Sequence, residues 1–150
     1  MARLLEQQYI NKNLWGDGIP EYKEEDLMTD RELLDFAMRN VQMFELDKNG
    51  YEIISANNQI GVYPNFVVKK DNNLIFILVK VDIAPNMPKL TKNDKKIMIE
   101  QANKFNAIPL FAPVGFGSSD PDRFDASLAL RGDGFYCNYV GLEEIKWGDR

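Results

Sequence analysis

One lysine stands inside the most apolar segment of the sequence, where a charged side chain needs a specific partner. Residues 74–83 read LIFILVKVDI, and Lys80 is the only cation in that run. An ammonium group is costly to bury without a partner, so Lys80 must reach water or an acid. Two interpretations follow: Lys80 pairs with Asp82 or another acid near the strand end, or it points into a present or former active site.

Strand alternation predicts which polar residues accompany this lysine. Residues two apart share a face of an extended segment, so Leu78, Lys80 and Asp82 are expected on one face. Asn65 stands at the start of the preceding β-prone segment, residues 66–70. We therefore expect any chemistry in this region to centre on an amide, an ammonium and a carboxylate.

Three consecutive strands are predicted to position these residues. Residues 51–56, 66–70 and 74–83 are rich in β-branched, aromatic and other apolar residues, a composition typical of strands. The short polar link at 71–73 predicts a hairpin between the second and third strands. Two prolines, at 85 and 88, end the third strand, because proline cannot donate to a ladder.

Two helices are predicted on either side of this strand unit. Thr29-x-x-Glu32 and Thr91-x-x-Asp94 both fit a capping box, which marks a helix start. The apolar positions of the first helix follow a helical spacing, and they are Leu33, Ala37, Val41 and Phe44. The corresponding positions of the second helix are Met98, Ala102 and Phe105.

The rest of the chain is predicted to complete a mixed sheet. The further expected elements are a helix at 2–14, a strand at 107–114, a Gly/Ser/Asp loop at 115–122, a short helix at 124–130, a strand at 135–140 and a helical turn or coil at 142–147. This order predicts an α/β or α+β fold with a mixed central sheet flanked by helices. We expect a single domain over 1–150, with a helical extension at 1–28 and a core at 29–147.

Composition excludes several classes of function. The 150 residues carry a net charge of −5 and a pI of about 4.8, which argues against a general polyanion binder. With no histidine and one cysteine, Cys137, the chain has no Ser-His-Asp catalysis, histidine metal site or internal disulfide. No apolar run approaches the length of a membrane span, so we expect a cytoplasmic protein.

The strand order, together with Pro64-Asn65 and Leu78-Val79-Lys80, resembles the PD-(D/E)xK superfamily, which has the restriction-endonuclease-like fold with an αβββαβ core. The resemblance covers roughly residues 29–140. It implies two acids, one after the proline and one two residues before the lysine, that hold magnesium for phosphodiester cleavage. Here Asn65 and Leu78 replace those acids, and neither supplies the negative oxygen that magnesium prefers. Lys80 alone would then be a vestige of the motif.

We therefore expect a nuclease-like domain without catalysis and without a cofactor, acting through a protein partner or as a homo-oligomer. One alternative is a divergent magnesium-dependent nuclease that uses Lys80 with Asp82 or Glu100, because some members of the superfamily carry an acid on the following helix. Nucleic acid remains a possible partner that the acidic pI does not favour. A second alternative is a small dimerisation module without ancestral chemistry.

Overall fold

The computed structural model describes residues 29–83, 86–118 and 135–146. The predicted helices at 2–14 and 124–130, and the extension at 1–28, lie outside these ranges. Within the described ranges, no helix is long and apolar enough to cross a membrane.

The described elements follow the predicted order of one helix, three strands, a second helix and further strands. Their bounds are α1 Asp30–Val41, β1 Glu52–Ala56, β2 Phe66–Lys70, β3 Asn73–Ile83, α2 Lys92–Lys104, β4 Ile108–Ser118, β5 Phe135–Tyr139 and β6 Glu143–Glu144. The prediction of an α+β fold with a mixed central sheet flanked by helices is confirmed.

The six strands form one sheet in the order β1-β2-β3-β4-β5, with β6 also paired to β4. β2 and β3 form the predicted antiparallel hairpin, and Asp71 and Asn72 in its turn both have positive φ, as a tight hairpin turn requires. β3 and β4 are parallel. Parallel neighbours need a crossover connection, and α2 supplies it.

The two faces of β3 pack against different helices, as the alternation of its side chains predicts. Ile77 and Val79 belong to the buried cluster that contains Leu34 and Ala37 of α1. The other face carries Phe76 and Leu78, which pack with residues of α2 in a second buried cluster: Met98 and Ala102. β3 is therefore buried on both sides, which explains its nearly continuous apolar sequence.

Both predicted capping boxes are present. The Glu32 N–H donates to Thr29 Oγ1 at 3.2 Å, and the Thr29 N–H donates back to Glu32 Oε1 at 2.9 Å. At α2 the Asp94 N–H donates to Thr91 Oγ1, and the Thr91 N–H donates to Asp94 Oδ2, both at 3.0 Å. These bonds satisfy N–H groups that have no partner within the helix.

The end of the first helix differs from the prediction. Residues Gln42–Leu46 form a π-helical segment after α1, and the Asp47 N–H donates to the Gln42 carbonyl at 2.8 Å. A π-helical turn holds more residues than an α-helical turn, so the spacing that predicts burial of Phe44 no longer applies. Phe44 is 57% exposed, whereas Leu46 is fully buried.

Three further predictions, about one side chain and two chain segments, are wrong. Phe105 lies beyond the last residue of α2 and is 60% exposed, although Met98 and Ala102 are buried as predicted. The predicted loop at 115–122 begins too early, because β4 pairs with β3 as far as Phe116 and with β5 as far as Ser118. The predicted turn or coil near the C-terminus contains β6, which pairs with β4.

The π-helical segment generates a matched pair of predictions. Leu46→Ala should lower the free energy of unfolding by about 2–5 kcal/mol, because it removes a fully buried side chain. Phe44→Ala should change it by less than about 1 kcal/mol, because that ring lies mostly in solvent. Urea denaturation of both variants measures the difference, and a larger loss for Phe44→Ala would contradict the π-helical register.

Candidate functional site

A cleft of about 500 Å³ lies where the C-terminal half of β3 meets the start of α1 and the loop before β2. Asn65, Lys80 and Asp82 all line it, so the structure brings three of the four sequence-predicted site residues together. Glu100, the fourth, is exposed on α2 and does not belong to this lining.

Lys80 is held by an ion pair with Asp94 of α2. Its Nζ lies 2.8 Å from Asp94 Oδ2, and the two side chains are 30% and 8% exposed. Nζ also donates to the Lys89 carbonyl at 2.9 Å. The prediction that Lys80 pairs with an acid is confirmed, and the acid comes from the following helix instead of the adjacent position in the strand, Asp82.

The Asp94 carboxylate is surrounded by donors. Its Oδ1 accepts a hydrogen bond from the Tyr63 hydroxyl at 2.6 Å, while Oδ2 accepts from Lys80 and from the Thr91 N–H. Burial alone would raise the pKa of Asp94, but the bonds from Lys80, Thr91 and Tyr63 together outweigh burial and lower that pKa to about 2. Asp94 is therefore ionised at neutral pH.

The same carboxylate raises the pKa of Tyr63, whereas the pKa of Asp94 itself is lowered. Its hydrogen bond to Asp94, supported by burial, raises the pKa of Tyr63 to about 12, because a negative acceptor favours the neutral phenol. Tyr63 is therefore a fixed donor, joined to Pro64 by a cis peptide bond, and it links the loop before β2 to α2.

Asn65 is buried, with only 2% of its surface exposed, and both ends of its amide are bonded to the backbone. Its Oδ1 accepts from the Val79 N–H at 2.7 Å. Its Nδ2 donates to the Asn57 carbonyl at 3.1 Å. The side chain thus fastens the loop that follows β1 to the middle of β3, satisfying polar groups that cannot reach water.

Leu78 and Asp82, the two other positions of interest on β3, lie in different environments. Leu78 is 5% exposed and packs in the cluster that contains Met98 and Phe111. Asp82 is half-buried, and its Oδ1 accepts from the Ile83 N–H at 2.8 Å. The alternation rule therefore places Leu78 in the core and the two charged residues of the same face at the cleft.

These contacts do not fit a divalent cation at the positions that the nuclease motif implies. Asn65 Oδ1 already accepts a backbone hydrogen bond, Leu78 has no ligand atom, and both oxygens of Asp94 accept from other groups. Magnesium prefers several free carboxylate or carbonyl oxygens arranged around it. In the described ranges, no group of three or more His, Cys, Asp or Glu residues could hold a metal ion.

Sequence reasoning missed two central residues: Asp94, the partner of Lys80, and Tyr63, which donates to Asp94. The capping pattern identified Asp94 as a helix-start residue, but it gave no indication that the same carboxylate reaches across to β3. A lysine in an apolar strand with an acid at the start of the next helix is a usable signal once the strand–helix order is known, because a crossover helix packs on the strand before it. Tyr63 carries no comparable signal.

The fold and this cleft define an α+β domain with a mixed sheet and a lysine-centred polar network. Residues 31–145 match the model of a family described as Domain of unknown function (DUF8840), and the chain belongs to that family. A comparison with curated protein sequences finds no match.

Among solved structures, the chain is similar to Hjc, a Holliday junction resolvase from the archaeal hyperthermophile Archaeoglobus fulgidus. The identity is 18% and the TM-score is 0.38. The similarity covers 52% of this chain and 63% of the resolvase chain.

Asp94→Asn tests the ion pair through pH dependence. We expect a loss of about 1–3 kcal/mol at pH 7, because Lys80 loses its charged partner at a largely buried site. The folded-state pKa of Asp94 is depressed from 3.8 to about 2, so its stabilisation is present above pH 4 and disappears as the pH falls toward 2. The difference in stability between wild type and variant should shrink over that interval, as followed by urea denaturation.

Asp47→Asn is the matched control, because Asp47 is an exposed carboxylate without a described ion pair. It should change stability by less than about 0.5 kcal/mol. A difference between wild type and Asp94→Asn that stays constant from pH 5 to pH 2 would contradict the role assigned to Asp94.

Proposed function

We propose that this domain is non-catalytic and acts by binding another protein or a second copy of itself through the cleft beside β3. The observation that carries the proposal is the set of hydrogen bonds made by the Asn65 side-chain amide. At the position where the resemblance implies a metal-binding acid, both ends of a buried side chain are committed to backbone groups.

The other two motif positions support the same proposal. Leu78 belongs to the core, and the charge of Lys80 is compensated by Asp94 at 2.8 Å. A lysine that assists phosphodiester cleavage must be free to act on charge that develops at the phosphate or on an attacking water. The Lys80 ammonium instead holds α2 and the Lys89 carbonyl in place.

The cleft itself supports a binding function. Its volume of about 500 Å³ falls within the range of pockets that hold small ligands or a few side chains. Tyr63, Lys80 and Asp94 in its lining are hydrogen-bonded to one another, and Asn65 is bonded to backbone groups, so the fold does not need a ligand to satisfy them. Ligand contacts would come from the rim and from the apolar walls.

Metal-dependent cleavage is the second candidate, supported by the presence of Lys80 and Asp82 in one cleft. In that case magnesium would need Asp82 and oxygens from outside the motif. Incubation of the wild-type protein with plasmid and single-stranded DNA in the presence of manganese distinguishes the two candidates. We expect no cleavage, whereas cleavage that disappears in Lys80→Ala would overturn the non-catalytic proposal.

Asn65→Asp tests whether this position tolerates the acid of the nuclease motif. The substitution removes the donor to the Asn57 carbonyl and buries a carboxylate against it, so we expect a loss of about 1–3 kcal/mol. Millimolar magnesium should change the Tm of the wild type and the Tm of the variant by no more than about 1 °C each, because a ligand stabilises only a state that binds it.

Asn72→Asp is the control, because Asn72 lies exposed in the β2–β3 turn with positive φ, a conformation that Asp also tolerates. It should leave the Tm nearly unchanged. Should magnesium raise the Tm of the wild type by several degrees, or restore the stability of Asn65→Asp, the position would bind metal and the proposal would be wrong.

A further inference from the structure

We propose that the cleft binds a basic side chain, an arginine or a lysine, that a partner protein presents beside an apolar residue. This inference rests on the proposed function and specifies its partner. It follows from the charges around the cleft, from the apolar character of its walls, and from the way Lys80 is neutralised.

The charges at the cleft do not balance. Among the described residues, three carboxylates line it, those of Asp30, Asp82 and Asp94, against one ammonium, that of Lys80. The Lys80–Asp94 pair cancels internally. Within residues 29–83, 86–118 and 135–146, neither Asp30 nor Asp82 forms an ion pair, so the cleft presents uncompensated negative charge to a ligand.

The two uncompensated carboxylates come from different elements. Asp30 is exposed in the first turn of α1, where an acidic side chain interacts favourably with the helix dipole. Asp82 lies near the end of β3, and its Oδ1 accepts a bond from the Ile83 N–H. A cation that enters the cleft therefore meets carboxylates on a helix and on a strand.

The remaining surface of the cleft is largely apolar. Leu33 and Ile83 contribute to the wall, and Ile60 on the rim is 60% exposed. Arginine and lysine suit such a site, because their methylene stems cover apolar surface while the charged end stays near acids. An acidic ligand would face repulsion from Asp30 and Asp82, and a purely apolar one would leave both carboxylates poorly solvated.

A protein segment fits the cleft better than a free metal ion does. The volume of about 500 Å³ accommodates a basic side chain together with an apolar neighbour, whereas no described group of acids is placed to hold a metal. Arginine has an advantage over lysine, because its planar guanidinium can bond two carboxylate oxygens at once.

Peptide titrations observed by two-dimensional NMR of the ¹⁵N-labelled full chain test this inference. The probe is acetyl-Ala-Leu-Arg-Leu-Ala-amide, and the matched peptides carry citrulline or glutamate in place of arginine. We expect the backbone amide signals of Lys80 and Asp82 to shift with the arginine peptide. The citrulline peptide should bind roughly three- to tenfold more weakly, as loss of contacts with one or two partly exposed charges implies.

The double variant Asp30→Asn/Asp82→Asn supplies the decisive comparison, because it removes both uncompensated carboxylates and leaves the Lys80–Asp94 pair in place. In this variant the arginine and citrulline peptides should bind equally well, as a double-mutant cycle requires for a direct charge contact. The control variant Asp47→Asn/Asp71→Asn removes the same number of exposed charges outside the cleft and should retain the wild-type preference.

The experiments distinguish a failure of this inference from a failure of the proposed function. Equal binding of the arginine and citrulline peptides to wild type, no binding of either, or an unchanged arginine preference in the Asp30/Asp82 variant would overturn the inference about a basic ligand. None of these results would affect the non-catalytic proposal, which only metal-dependent stabilisation or Lys80-dependent cleavage overturns.

Discussion

The ion pair between Lys80 and Asp94 is the interaction on which the organisation of the cleft depends. Through it, β3 is joined to the start of α2, and the same carboxylate also caps that helix at Thr91 and accepts from Tyr63 in the loop before β2. Lys80 further holds the Lys89 carbonyl. One partly buried charge pair thus positions segments that come from separate parts of the sequence.

Such a pair is rarely a large net source of stability, because removing two charges from water costs nearly as much as their attraction returns. Its value here is geometric. Each group is satisfied only when β3, α2 and the loop carrying Tyr63 adopt one relative arrangement, and a misplaced segment would leave a buried charge without a partner. We interpret the network as a device that specifies the fold around the cleft.

Asn65 plays a parallel part along the backbone of β3. Its amide joins the Asn57 carbonyl to the Val79 N–H, and its own N–H donates to the Ile77 carbonyl. The side-chain amide of this buried residue is therefore hydrogen-bonded at both its oxygen and its nitrogen. Asp30 and Asp82 line the same cleft, and neither forms an ion pair with another described residue.

The sequence by itself determined the order of the elements, both capping boxes, the β2–β3 hairpin and the two-sided burial of β3, because these depend on local propensity and on periods of two and 3.6 residues. Only the tertiary structure decided that Asp94 is the partner of Lys80 and that Asn65 saturates its amide on the backbone. It also decided that Leu46 is buried in place of Phe44. These outcomes depend on how α2 packs on β3 and on one π-helical segment. The local sequence pattern does not contain that information, because it reports only residues that are close along the chain.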